Sequence, residues 1–462
     1  MSGSVQEPAR ILVQLREGRG WSQAQLARHL KHLAERLGVQ RVADAAVPSI
    51  KRSIERWEAG TSRPDERYWL LLAHVYAIRD DKVDLGPGSD LDRLLDALAL
   101  MGVPQRDRDG LRDLVVRATM AGSHAFLAFV TPELQGRLAW ALEHPDRLDA
   151  KAVEQLQRAV DGLRHQRERS VAMVRLLLAL APLVTALQQL RKGSQPDQVH
   201  RALCVVAVQA FTFAGSLSFD LGDPESIRGF YDQADDAAAM LDDGWLAAFS
   251  SSSRSMIALH GARDVGAALA LADRACGQAA HGSSRIVRAR AHAILAEMFA
   301  AAGDPRRSER ELGLARFHVD GVTGDDPAIG YFTESRHGGV DGMRAHVEGF
   351  EGACRIRLGR WKQAESALER AAAGLPVSGA DRQRSIILAD SALTSLQLGD
   401  PGAAADLLGE SIGLVAKVGG AVPTRRIHQV HGRFDSAKHQ PLVRTLDERL
   451  HAAGLPAQQG AG

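Results

Sequence analysis

The residues best equipped to recognise another molecule are concentrated between Ser49 and Pro64, in SIKRSIERWEAGTSRP. Lys51, Arg52 and Arg56 bring cations, Glu55 a carboxylate and Ser49 a hydroxyl. Arginine and lysine at such positions suit base-edge acceptors in the DNA major groove, or phosphate oxygens. The chemistry needs a scaffold that turns these side chains the same way. If the stretch is helical, Ile50, Ile54 and Trp57 share one face at i, i+4, i+7, and the cations point away from it. Ser49, just after Pro48, is expected to cap the helix, and Gly60 to end it. The positive end of the helix dipole adds to the attraction for phosphate. Taken alone, the stretch also fits an ordinary amphipathic helix with a solvated basic face.

A second group sits far downstream. Ser250 to Ser253 followed by Arg254 is an unusual polar run, and Arg288, Arg290 and His292 follow some forty residues on. Together they suit a groove for an anionic small molecule or a peptide carboxylate. Exposed arginines in an Arg-rich chain explain them more simply. Only eight of the 57 basic residues are lysine and asparagine is absent, which has the look of a high-GC coding bias. No Walker loop, G-x-S-x-G, H-E-x-x-H or C-x-x-C occurs. His428 and His431 are three apart but have no third ligand nearby. The expectation is therefore no enzyme, no cofactor and no metal. Cys204, Cys276 and Cys354 lie far apart in apolar segments and read as reduced, buried thiols.

Upstream of the basic stretch, Leu12, Leu15 and Arg16 form an amphipathic segment broken by Gly18 and Gly20. A second helix then opens with Ser22 as its cap and Gln23 in its first turn. The segments L-R-x-x-R-G-W-S-Q-A-Q-L-A (Leu15 to Ala27) and S-I-E-R-W-E-A-G…P (Ser53 to Pro64) resemble the phage-repressor-like, or XRE, helix-turn-helix family. The resemblance covers about the first seventy-five residues. It implies that Lys51, Arg52 and Arg56 face bases or phosphates and that Gln23 contacts phosphate. Ser49, Glu55 and Arg63 complete the candidate DNA-contacting set. It also implies a buried ion pair between Arg16 and Glu58. One departure stands out: Lys31 to Pro48 replaces the family's compact turn, so the second helix is expected to reach Leu37, with a loop before Ser49.

At 462 residues the chain is long enough for about three domains. The readings are a DNA-binding head at 1–80, a helical linker at 81–148 and a repeat body at 149–454. Asp65 to Ile78 should close the head, with Tyr68, Leu72 and Val75 inward, and residues 84–89 mark a hinge. Residues 90–101 and 108–120 read as connecting helices. The body carries a recurring turn at Gly222, Gly261, Gly303, Gly359 and Gly399, each followed by Asp, Pro or Arg and small residues. Such periodicity means stacked helix pairs. Gly359 to Ala371, GRWKQAESALERA, best shows the resemblance to degenerate tetratricopeptide repeats, which covers roughly residues 150–415. The expected fold is all-α, a helix-turn-helix followed by an α-solenoid. The 56-residue interval between Gly303 and Gly359 holds a Gly- and Asp-rich insertion, 321–342, read as a loop or a disordered excursion. The tail after Gly454 should be mobile.

Net charge is +1, but residues 1–63 carry 11 Lys+Arg against 6 Asp+Glu, leaving the remainder near −4. A basic head on a mildly acidic body suits a double-stranded DNA reader. The expected function is a sequence-specific transcription regulator whose body forms a homodimer and senses a small-molecule or peptide effector, or a protein partner. The amphipathic stripe Leu442, Leu446, Leu450 is a candidate for dimerisation or for capping the last repeat. The alternative is a repeat scaffold whose helix-turn-helix contacts proteins. The N-terminus lacks a signal peptide's apolar core, and no long charge-free apolar run implies a membrane span, so a cytoplasmic, nucleoid-associated protein is expected.

Overall fold

A computed structural model describes residues 6–37, 39–79, 82–83, 88–105, 107–108, 111, 115, 132–168, 173–333, 339–376, 379–434 and 440–455. Among them the chain is helical almost throughout, so the expected all-α class holds. The exception is a two-residue antiparallel pair, Ile78–Arg79 with Lys82–Val83. Most of the expected hinge at 84–89, most of the expected helix at 108–120 and the tail from 456 lie outside the described residues. Packing divides the chain into two compact units, residues 1–159 with 172–195 and residues 160–171 with 196–462.

The first unit opens with α1 (Gln6–Gly18), α2 (Gln23–Leu37), a single turn α3 (Gln40–Ala43), α4 (Val47–Glu58) and α5 (Glu66–Ala77). Ser22 and Gln25 start α2 reciprocally: the Ser22 hydroxyl accepts from Gln25 N at 3.2 Å and the Gln25 side chain from Ser22 N at 2.7 Å. The end of α2 at Leu37 is as expected, but the following loop contains the extra turn α3. Helix α4 begins two residues before Ser49, with Ala46 as a cap that lends no side chain. Ser49 is therefore not the cap. Pro48 sits in the first turn, where its missing N–H would have had no helical partner. Asp65 caps α5 by accepting from Arg67 N and Tyr68 N.

One core joins these helices, with Leu12, Leu15, Leu26 and Leu30 packed against Ile50, Ile54 and Trp57. Helix α6 (Asp90–Leu100), expected as a connector, belongs to the same core, because Leu91, Leu94 and Leu98 form a stripe that needs covering. Helix α5 is buried nearly all round, from Trp69 to Leu72, while Tyr68 and Val75 are half-buried at its margin. The unit is completed by α7 (Pro132–Glu143), most of α8 (Ala150–Glu168) and α9 (Met173–Leu190).

The second unit is built from successive helix pairs. These are α10 (Asp197–Asp220) with α11 (Pro224–Ala238), α12 (Trp245–Ile257) with α13 (Val265–Ala280), and α14 (Arg285–Ala301) with α15 (Pro305–Asp320). After a short α16 (Ile329–Thr333) come α17 (Gly339–Arg357) with α18 (Trp361–Gly374), and α19 (Asp381–Leu398) with α20 (Pro401–Val418). The first helices of successive pairs also touch. Gly222, Gly303, Gly359 and Gly399 have positive φ, as helix-ending glycines do. Asp223, Asp264, Asp304 and Asp400 then cap the following helices. Gly261 breaks the series. There the chain makes a π-helical turn, Ala258–Ala262, and Arg263 takes the left-handed position at φ 58°. The glycine is needed for another reason, since a Cβ on it would lie 2.9 Å from the Phe219 ring.

Helix α10 is long and apolar enough to cross a membrane by length and composition, but 83% of its apolar stretch is buried within the fold. At the far end, α21 (Ala421–His431) and α22 (Gln440–Ala452) cover the last pair. Leu446 and Leu450 are fully buried there against Leu408, Ile412 and Ile427. Leu446 and Leu450 therefore cap the last pair, while Leu442 at the edge of the stripe is half-buried.

Candidate nucleic-acid interface and inner cavity

Helix α4 is held from behind by its apolar face and from its end by Glu58. Arg16 donates to Glu58 through Nε at 2.7 Å and a terminal nitrogen at 3.0 Å, and Gln23 donates its amide at 2.8 Å. The Arg16 and Glu58 side chains are 11% and 7% exposed, so the pair is largely withdrawn from water. The Glu58 hydrogen bond raises the Arg16 pKa against the opposing effect of burial. Arg16 also donates to Trp21 O at 2.8 Å, so one guanidinium fixes α1, the α1–α2 turn and the end of α4.

Two further residues that sequence reading missed hold this frame. Lys31 on α2 donates to the carbonyls of Ala43 and Ala45, pinning the long connection that leads into α4. Arg19 spans from the α1–α2 turn to Asp90 at 2.6 Å and to the carbonyls of Tyr76 and Ile78. Neither has a local sequence signal, because each partner lies twelve or more residues away.

The outer surface of α4 is a shallow concavity lined by Ser49, Arg52, Ser53, Glu55, Arg56 and Thr61. Arg52 and Arg56 are exposed, and among the described residues each donates to the hydroxyl three residues before it, Ser49 and Ser53, at 3.3 Å. Lys51 forms a 2.9 Å ion pair with Glu55, which neutralises both on the same surface. Arg63 is exposed and donates to Met101 O at 3.2 Å, off the α4 face. Gln23, expected at a phosphate, donates to Glu58.

The downstream candidates are only partly brought together. Arg254 pairs with Asp232 at 3.1 Å. Arg288 donates to the carbonyls of Ala279 and Gly282, closing the end of α13. His292 meets Glu311 at 2.6 Å. None of these three lines a half-open cavity of about 150 Å³ in the second unit, whereas Ser253 and Arg290 of the same group do. That cavity is walled by Arg167, Arg290, Arg382, Arg426, Glu297 and Asp390, with Met256, Ile257, Phe350 and Ile387 between them.

Most of its charges are set in pairs. Asp220 accepts from Arg382 and from the N–H of Ala421 at 2.8 and 2.9 Å, and pairs with Arg167. Burial works to raise the Asp220 carboxyl, but Arg382 and Arg167 outweigh it and hold it below the usual range. Glu297 is treated alike: burial is overcome by His260, Arg357 and Arg426. Asp390 pairs with Arg426, yet burial prevails there and raises its carboxyl. The result is a rigid, mixed wall able to hold a small organic molecule by a few hydrogen bonds and apolar contact.

Comparison of the chain with known protein families, with curated proteins and with solved structures found no match.

Proposed function

We propose that this chain is a sequence-specific double-stranded DNA-binding regulator. In this reading α2 and α4 act as a helix-turn-helix of the phage-repressor type, and the second unit is a tetratricopeptide-like body. The observation that carries the reading is the outward pair Arg52 and Arg56 on a helix braced by Ile50, Ile54, Trp57 and Glu58. A helix so braced presents guanidiniums to a groove at little further ordering cost. A single head spans one half-site, so two copies are expected on a two-fold operator. The cavity in the second unit is the place for an effector, a small organic molecule rather than an extended chain, given its volume.

The test is binding of the full-length protein to fragments of its own genome across a salt series. The reading expects a selected site bound far more tightly than bulk DNA, with affinity falling as salt rises. Equal, salt-insensitive affinity for all fragments supports the protein-contact scaffold instead.

A further inference from the structure

We propose that Cys276, His292 and Glu311 form a binding site for a divalent transition metal of the zinc type. The residues come from three consecutive helices, α13, α14 and α15, and the three ligand atoms lie within 4.8 Å of one another. The Cys276 sulfur is 3.8 Å from His292 Nδ1, and that nitrogen is 2.6 Å from Glu311 Oε2. Donors on a tetrahedral ion with bonds of about 2.0–2.3 Å stand roughly 3.3–3.8 Å apart. Sulfur and nitrogen already have that spacing. The carboxylate needs to swing back by about 1 Å to reach it.

The donor set selects the ion. Thiolate with imidazole and carboxylate suits zinc and its borderline neighbours, whereas calcium and magnesium call for oxygen alone. Water competes weakly, because the His292 and Glu311 side chains are 18% and 9% exposed. Burial, reinforced by Glu311 and Asp273, pushes the Cys276 thiol up to about 12. This is no reactive thiolate, but a coordinated metal ion removes the proton outright.

His318 packs beside the site. Its ring is stacked on His292 at 5.4 Å, and its Nδ1 is buried with no hydrogen-bond partner among the described residues. A packed His292–Glu311 hydrogen bond explains those two residues alone. It does not explain the thiol against the same nitrogen. The site lies in the second unit and does not depend on the DNA reading.

The test is titration of chelator-treated, full-length protein with cobalt(II). The expected result is one ion per chain, a near-ultraviolet thiolate-to-cobalt charge-transfer band, and visible bands of four-coordinate cobalt that zinc(II) bleaches. Cys276→Ser should abolish the charge-transfer band, and Cys204→Ser should leave it intact. Should Cys276→Ser lose helical circular dichroism, Glu311→Gln replaces it, with an expected loss in cobalt affinity of about tenfold or more. Absence of the band from folded wild-type protein overturns the proposal. So does a band that survives Cys276→Ser, or an unchanged affinity in Glu311→Gln.

Discussion

At the scale of single residues, Glu58 ties three helices of the first unit together. Three donors from α1 and α2 converge on it, and it closes the end of the helix that carries Arg52 and Arg56. Replacing it leaves Arg16 largely buried without its carboxylate. Glu58→Ala is expected to cost about 3–5 kcal/mol, read as a lower denaturation midpoint of the first unit; an unchanged midpoint would place the pair in free contact with water. The Arg16–Glu58 partnership was legible, because the L-R and W-E segments carry a pattern that implies it. The hydrogen bond of Gln23 to Glu58 had no local signal, because the two lie thirty-five residues apart. Arg288 and His292 were grouped with Arg290, but on a helix two residues is more than half a turn. The cavity faces Arg290, so its neighbours at 288 and 292 point elsewhere.

Helices and their turns were the most readable level. The glycine and aspartate of the repeated turn act within a few residues of themselves, so their spacing reports structure directly. The insertion was not readable in this way. Its described part, far from being an excursion, sends Asp326 to the start of α14, where it accepts from the Ser284 hydroxyl and from Arg285 N at 2.7 Å. Ile286 N donates to the same carboxylate at 3.2 Å. Tyr331 lies under the Arg164 guanidinium at 3.2 Å. The excess of Gly and Asp that suggested disorder includes the very residue that anchors the segment. Asp326→Ala strands two N–H groups at the start of a buried helix and should destabilise the second unit by about 1–3 kcal/mol. A denaturant titration checks this, and a change within error would mean the cap is dispensable.

For the whole molecule, buried carboxylates couple stability to pH. Asp220 and Glu297 are held below the usual carboxylate range by arginines, and by His260 for Glu297, that outweigh burial. The unfolded chain therefore takes up their protons first. Their contribution is complete above about pH 4 and is lost as pH falls through the folded values. Asp390, raised by burial against the pull of Arg426, works in the opposite sense. Its share is present below the usual carboxylate pKa and fades as pH rises. Melting temperature should fall on acidification below about pH 4, and Asp220→Asn should flatten that fall. An equally steep fall in the variant would assign the effect to other groups.

The reading of the molecule as a DNA regulator rests on one face of α4. The most direct measurement is the affinity of full-length wild type, Arg52→Ala and Arg56→Ala for a selected duplex and for a scrambled one. If these side chains read bases, each variant loses about 1–3 kcal/mol, roughly 5- to 150-fold, on the selected duplex and far less on the scrambled one. Wild-type affinity of both variants for the selected site would contradict the assignment of α4 as the recognition helix.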